Sequence, residues 1–289
     1  MQPIILDIDG SVGALEGSIV LDVTDWRDAL RFACSTRRLE TFGQMLDSRL
    51  PSERGTVFTG SGDFHHLSLP LIAHAVTGHS GVEVVVFDNH PDNMRFPFAV
   101  HCGSWVWRVA RLPQVAHVHV VGITSQDISI KHAWENHLRP LYRGRVTYWS
   151  TDVDVGWAKW IGLEHAIRTF GSGVEMLDAF KQRMQRSTAP LYLSIDKDVL
   201  DPAEAATNWD QGCLHVAAIT DVIAGLRVRL IGSDVSGDIS LASYPQWWKR
   251  RLSGLDQQVV PDANCIAQWQ RQQHAINQCL LAAISGRVA

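Results

Sequence analysis

One apolar run leads directly into three side chains of metal-ligand type at alternate positions. The run is Val84-Val85-Val86-Phe87, and Asp88-Asn89-His90-Pro91-Asp92 follows it. In extended backbone successive side chains point to opposite faces, so Asp88, His90 and Asp92 are expected on one side of a strand end. Two carboxylates and an imidazole meeting there form a donor set for a hard or borderline divalent cation.

A second run repeats the arrangement. Leu191-Tyr192-Leu193-Ser194-Ile195 ends in Asp196-Lys197-Asp198, again with carboxylates at alternate positions, and Asp201-Pro202 closes the segment because proline cannot continue a ladder. Two strand ends carrying such pairs are far more informative than one. Four aspartates with one or two histidines have the bridging capacity for two cations such as Mn²⁺.

Two further segments offer histidines. Thr56-Val57-Phe58-Thr59 runs into Gly60-Ser61-Gly62-Asp63-Phe64-His65-His66, and the apolar LSLPLIAHAV that follows reads as a helix. His65 and His66 therefore stand at a strand-to-helix junction, where either can be a ligand or a packed side chain. His101, in His101-Cys102-Gly103-Ser104, precedes the predicted helix WVWRVARL. On spacing alone it reads as structural.

A competing signal opens the chain. Ile4-Ile5-Leu6 ends at Asp7-Ile8-Asp9-Gly10, a strand-then-DxDG pattern that resembles the first motif of haloacid-dehalogenase phosphohydrolases, with Asp7 as nucleophile and Asp9 as acid/base. The bland reading is a strand-to-turn exit shaped by the two aspartates and Gly10. Asp152 and Asp154 lie in a Ser/Thr/Gly context that suits a turn and a helix cap.

The elements that must hold these residues alternate along the chain. About eight strand-like runs begin near residues 3, 18, 56, 83, 116, 145, 190 and 229, with helical patterns between them. Residues 24–48 are expected to be helical with an N-cap at Thr24-Asp25, and 126–142 is a polar stretch with a weak helical face. Near-continuous Val/Ile/Leu strands interleaved with helices predict an α/β fold with a mainly parallel sheet covered on both faces. Ligands collect beyond the carboxyl ends of such strands, and the His65-His66 pair, the Asp88–Asp92 segment, the Asp196–Asp198 segment and Gly237-Asp238 all occupy that end. No linker or composition shift divides residues 1–289, so one domain is expected.

Composition narrows the function. A formal net charge of −4 carries no polyanion footprint and argues against nucleic acid as partner. Five scattered cysteines without CxxC spacing argue for a reducing, cytoplasmic setting rather than a disulfide framework. No signal-peptide pattern opens the chain, and no apolar run approaches the roughly 20 residues that span a bilayer, so a membrane is not expected as partner.

With these motifs in order, the sequence resembles the ureohydrolase family of arginase, agmatinase and formimidoylglutamase. The family's DxHxD segment matches Asp88-Asn89-His90-Pro91-Asp92 in full, and its SxDxDxxDP segment matches Ser194 to Pro202 in full. The family's GGDHS turn is similar to GSGDFHHLS, with extra residues between Asp63 and Ser68, which favours His65 over His66 as first ligand. The family's loop histidine before Gly and Ser/Thr is matched, one residue out, by His101. One departure stands out: the family's DxxE segment, whose Glu holds the guanidinium, has Asp234 at the Asp but Gly237 at the Glu, with Asp238 beside it.

The resemblance implies a three-layer α/β/α arginase-like fold, two Mn²⁺ ions (the same ligands suit Zn²⁺ or Fe²⁺), and a trimer or hexamer. It assigns Asp88, His90, Asp92, Asp196, Asp198 and one of His65 or His66 as ligands, and His101 as proton shuttle. Asp238 or Asp234 is then the group that orients a small cationic guanidino or amidine substrate, whose C–N bond is hydrolysed. The missing Glu makes arginine an unsafe choice of substrate, and it motivates a second reading as a catalytically silent metal-binding relative.

Overall fold

β-Branched and aromatic runs form the strands. The computed structural model describes residues 1–51, 53–97, 99–241, 244–255, 258 and 261–286. Eleven strands occur among them: β1 Ile4–Asp7, β2 Ile19–Asp22, β3 Ala33–Ser35, β4 Val57–Phe58, β5 Val82–Phe87, β6 Ala99–His101, β7 Val115–Ile123, β8 Val146–Thr151, β9 Ile167–Phe170, β10 Leu191–Asp196 and β11 Leu230–Ser236. Nine of them make one sheet in the order β2-β1-β4-β11-β10-β5-β7-β8-β9, with every pairing parallel.

Strand alternation divides the apolar residues between two faces. In β5, Val84 and Val86 face one core, while Val85 and Phe87 face the other. The helices Thr36–Arg49 and Ser68–Ala75 cover the first face through Leu39, Phe42, Leu46, Leu71 and Ile72. The helices Gly173–Met184, Val216–Gly225 and Ile266–Ser285 cover the second through Phe180, Ile223 and Leu280, among others. Full burial of each such side chain stabilises by roughly 1.5–3 kcal/mol. This is the mainly parallel, helix-covered sheet expected from the sequence. No helix of the described residues is long and apolar enough to cross a membrane.

Two expectations need correction. The sheet has nine strands rather than about eight, because β9 adds to the edge beside β8. Its central residues Arg168 and Thr169 are exposed, so it lacks the apolar run that marks a buried strand. Residues 24–48 are not one helix. A 3₁₀ turn Thr24–Trp26 and a short helix Arg27–Leu30 give way to β3, which pairs antiparallel with β6 in a separate two-stranded sheet. Phe32, at φ 70°, makes the turn. The long helix starts only at Thr36, where the Ser35 side chain accepts from the Arg38 N–H as N-cap.

Candidate metal centre

The neighbouring strands β4, β11, β10 and β5 all end on the same edge, and their exits carry the candidate ligands. After β5 the chain is not extended as the alternation predicted. The Asp88 side chain folds back to accept the His90 N–H at 2.7 Å, and Asp92 adopts φ 45°, a left-handed conformation that aspartate tolerates better than most residues. The turn aims all three side chains inward, and Trp105 Nε1 fixes Asp92 by donating to Oδ2 at 2.5 Å. At β10, Asp196 closes the strand and caps the 3₁₀ turn Lys197–Val199, accepting from the Asp198 N–H, while Ser236 Oγ donates to Asp196 Oδ2 at 3.0 Å.

Beyond β4, the 3₁₀ turn Gly62–Leu67 carries His65, and Ser61 caps it by accepting from the Asp63 N–H. Asp63 is held by buried Arg31 at 2.8 Å. Gly62 is closely packed: a Cβ there would lie 3.0 Å from Trp209 and 3.2 Å from Asp196 Oδ2.

These exits assemble two groups of possible ligand atoms, His65/Asp88/Asp92 and Asp88/His90/Asp198, with the atoms of each group within 4.8 Å of one another. His65 Nδ1 is 2.9 Å from Asp92 Oδ2, 3.2 Å from Asp88 Oδ2 and 3.3 Å from Asp196 Oδ2. His90 Nδ1 is 2.9 Å from Asp198 Oδ2 and 3.6 Å from Asp88 Oδ1. Asp88 thus offers one oxygen to each group, and Asp196 adds a fourth donor to the first.

The electrostatics fit a cation site. Four buried carboxylates this close are costly without compensating positive charge. Burial and Asp88 push Asp92 up to about 7, and burial followed by Asp196 and Asp88 raises Asp198 well above the usual carboxylate range. Burial opposes the charged form of both rings, but Asp196 and its neighbours hold His65 well above an ordinary histidine, and Asp198 does the same for His90. Protons on this cluster stand in for the charge that bound cations would supply. Apart from the His65 ring 3.2 Å away, Asp88 Oδ2 is buried with no hydrogen-bond partner.

Each histidine also has an outer partner on its far nitrogen. His65 Nε2 meets Ser194 Oγ at 3.1 Å, and Ser194 donates to Asp234 at 2.7 Å, where Ser68 and Tyr192 also donate. His90 Nε2 meets Asp210 Oδ1 at 2.7 Å. Such contacts fix the tautomer that leaves Nδ1 free to coordinate.

The groups line a cavity of about 550 Å³, also lined by His101, Cys102, Met94, Trp209, Asp210 and polar residues of the 125–136 segment, among them Gln126, Asp127 and Glu135. Comparison with known proteins places this geometry. The model of the arginase family matches residues 20–236. The chain belongs to the arginase family. An uncharacterized protein of Thermotoga maritima is 28% identical over 209 residues, covering 72% of this chain and 67% of that one. Among solved structures, formimidoylglutamase from Bacillus subtilis aligns with a TM-score of 0.55 at 14% identity, covering 99% of this chain and 86% of its own. Agmatine ureohydrolase of Thermoplasma volcanium aligns at 0.52 and 16% identity, covering 95% and 74%.

Against the arginase-family expectations, the structure brings together His65, Asp88, His90, Asp92, Asp196 and Asp198. His66 belongs to neither group and does not line the cavity. It is fully buried with both ring nitrogens lacking a hydrogen-bond partner, and burial, then His101, pushes it well below an ordinary histidine. His101 lines the cavity, its Nδ1 accepting from the Gly103 N–H at 2.9 Å and its ring packed on Phe32 and Phe96. Burial, then His90, lowers it to about 3.

Neither Asp234 nor Asp238 lines the cavity. Asp234 serves the His65 side as described, and Asp238 is buried against Lys197 and Asn277. Gly237, at φ 89°, leaves no space for a glutamate: a Cβ would stand 2.4 Å from Asp196 Oδ1. Asp7 and Asp9 are also outside the cavity. Asp7 accepts from the Gly10 N–H, and Asp9 pairs with Arg31. Sequence reasoning missed Trp209, Asp210 and the 125–136 rim, which belong to loops and short turns without periodic pattern.

Proposed function

We propose that this arginase-family chain is a two-metal hydrolase that cleaves a C–N bond of a guanidino or amidine compound other than arginine. The observation that supports it best is the pair of His/Asp groups sharing Asp88 and lining the cavity. His65, Asp88, Asp92 and Asp196 would hold one ion, and His90, Asp88 and Asp198 the other. Mn²⁺ is the proposed cation, in keeping with an oxygen-rich donor set. When bound, the two ions supply a water of lowered pKa and charge stabilisation at the reacting carbon.

The chain's own residues do the rest. The described cavity lining contains no Lys or Arg, while Asp127 and Glu135 stand on its rim, a lining that attracts a cation and disfavours a free carboxylate. Trp209 stacks on Phe32 at 6.2 Å and stands edge-on to His90 and His101, walling the cavity. His101 is the proposed proton shuttle, taking up the proton that the attacking water releases and passing it to the departing amine, so that the ring ends neutral as it began. The carboxylate grip of the DxxE segment is absent here, so substrate orientation falls to the rim.

The test is release of urea or ammonia from a panel of guanidino and amidine compounds by Mn²⁺-loaded protein. Turnover of at least one member, none of arginine, and loss of turnover in Asp88→Asn are expected. Two bound ions with no turnover of any member would instead make the chain a silent metal-binding relative.

A further inference from the structure

The two histidines of the proposed centre are backed very differently. Behind His65 stands Asp234, fully buried and reached through Ser194. Behind His90 stands Asp210, whose side chain is 65% exposed. A carboxylate left so open to water contributes little to stability as an ion-pair partner, yet this one is held on two sides. Its Oδ1 meets His90 Nε2 at 2.7 Å, and Asn89 Nδ2 donates both to its Oδ2 at 3.2 Å and to its carbonyl at 3.1 Å. Asn89 is itself fixed, its Oδ1 accepting from the Thr124 N–H and hydroxyl.

The loop presenting Asp210 is tied to the same ligand strand. The Gly212 N–H donates to the Asp198 carbonyl at 2.7 Å, and a Cβ on Gly212 would lie 2.5 Å from the Val199 carbonyl oxygen. Gln211 Nε2 donates to the Leu200 and Ala205 carbonyls, Gln273 Nε2 to the Ala206 carbonyl, and Asn208 exchanges two hydrogen bonds with Ser240. Asp210 is thus carried on a segment anchored at both ends and locked to the residues that flank Asp198.

We infer that Asp210 is a positioning residue for the His90 half of the centre, acting through His90 and not on the substrate. By accepting the proton of His90 Nε2, it keeps the Nδ1 lone pair turned toward Asp88 and Asp198. Hydrogen-bond partners of this kind set ligand orientation and basicity in metal sites. The inference rests on the two-metal reading proposed above. It adds that the two half-sites are unequal, and that an exposed loop carboxylate controls one of them.

The experiment is a calorimetric titration of metal-free protein with Mn²⁺ alone, with the magnetic-resonance spectrum of the loaded protein recorded to detect a coupled ion pair. Wild type is expected to take two ions. Asp210→Asn is expected to keep the first, to weaken the second by roughly 10–100-fold, and to lose the coupled spectrum. Asp210→Glu, which retains the negatively charged acceptor, is expected to recover most of the second site. Thermal midpoints of the metal-free variants should match wild type. Two ions bound by Asp210→Asn with wild-type affinities would overturn the inference, as would metal-free variants that melt well below wild type. Fewer than two ions on wild type would remove both the inference and the metal reading, whereas two ions without hydrolysis would remove only the hydrolytic reading.

Discussion

Lys197 stands between the proposed ligands Asp196 and Asp198 in sequence, yet its side chain leaves them and pairs with Asp238, both groups fully buried. Asn277 completes the pair from the C-terminal helix, meeting Lys197 Nζ at 2.7 Å and Asp238 Oδ1 at 3.0 Å. Asp238 therefore balances a lysine. Asp238→Ala should strand that buried cation and destabilise by about 3–5 kcal/mol, measured by urea denaturation. A stable variant with a raised KM would restore Asp238 as a substrate-holding group.

Gly237→Ala tests the neighbouring position. With φ at 89° and the new Cβ 2.4 Å from Asp196 Oδ1, it should cost about 1 kcal/mol or more and displace a ligand. Lower Mn²⁺ affinity by calorimetry is the expected result, and Gly237→Glu should gain no arginine hydrolysis.

The shared ligand should dominate. Asp88→Asn weakens both half-sites, so activity should fall by about 10³-fold or more, equivalent to several kcal/mol of transition-state stabilisation. Asp7→Asn should leave the same assay unchanged. The reverse pattern, with phosphatase activity lost in Asp7→Asn, would identify a phosphohydrolase.

Ser194→Ala probes the buried side of the centre. It breaks the link from His65 to Asp234, which should lower metal affinity by roughly 10–100-fold and cost about 1–3 kcal/mol through unsatisfied polar groups. Calorimetry and thermal melting read the two effects separately.

Metal removal gives a check that needs no substrate. Cations binding only the folded chain at 100 times their dissociation constant stabilise it by about 2.7 kcal/mol. Adding Mn²⁺ to chelator-treated protein should raise the thermal midpoint, and Asp88→Asn should abolish the rise.

What the sequence revealed followed physical periodicity. The strands β5 and β10 are buried on both faces, so unbroken apolar runs marked them, and the ligands at their ends were visible as abrupt changes in polarity. The turn that places Asp92 by a positive φ is not written in that pattern, although its result, three converging side chains, was anticipated. Asp238 looked available because an acid at a strand end is usually solvated; its partner Lys197 lies 41 residues away. His65 and His66 could not be separated by composition, since only the 3₁₀ geometry of their turn decides which ring faces the carboxylates. Trp209 and Asp210 left no signal because their loop is held by side-chain bonds to backbone carbonyls.

The parallel pairing of β5 with β10 has a consequence for how the protein is made. His90 and Asp198 are 108 residues apart, and they meet only because that non-local pairing brings their strand ends together. Domains emerge from the ribosome N-terminus first, so Asp88, His90 and Asp92 are synthesised well before their partners exist. Pairing across such separations is slow to form. On the two-metal reading, the cations would be captured only once that pairing has formed, and metal uptake would then mark completed folding.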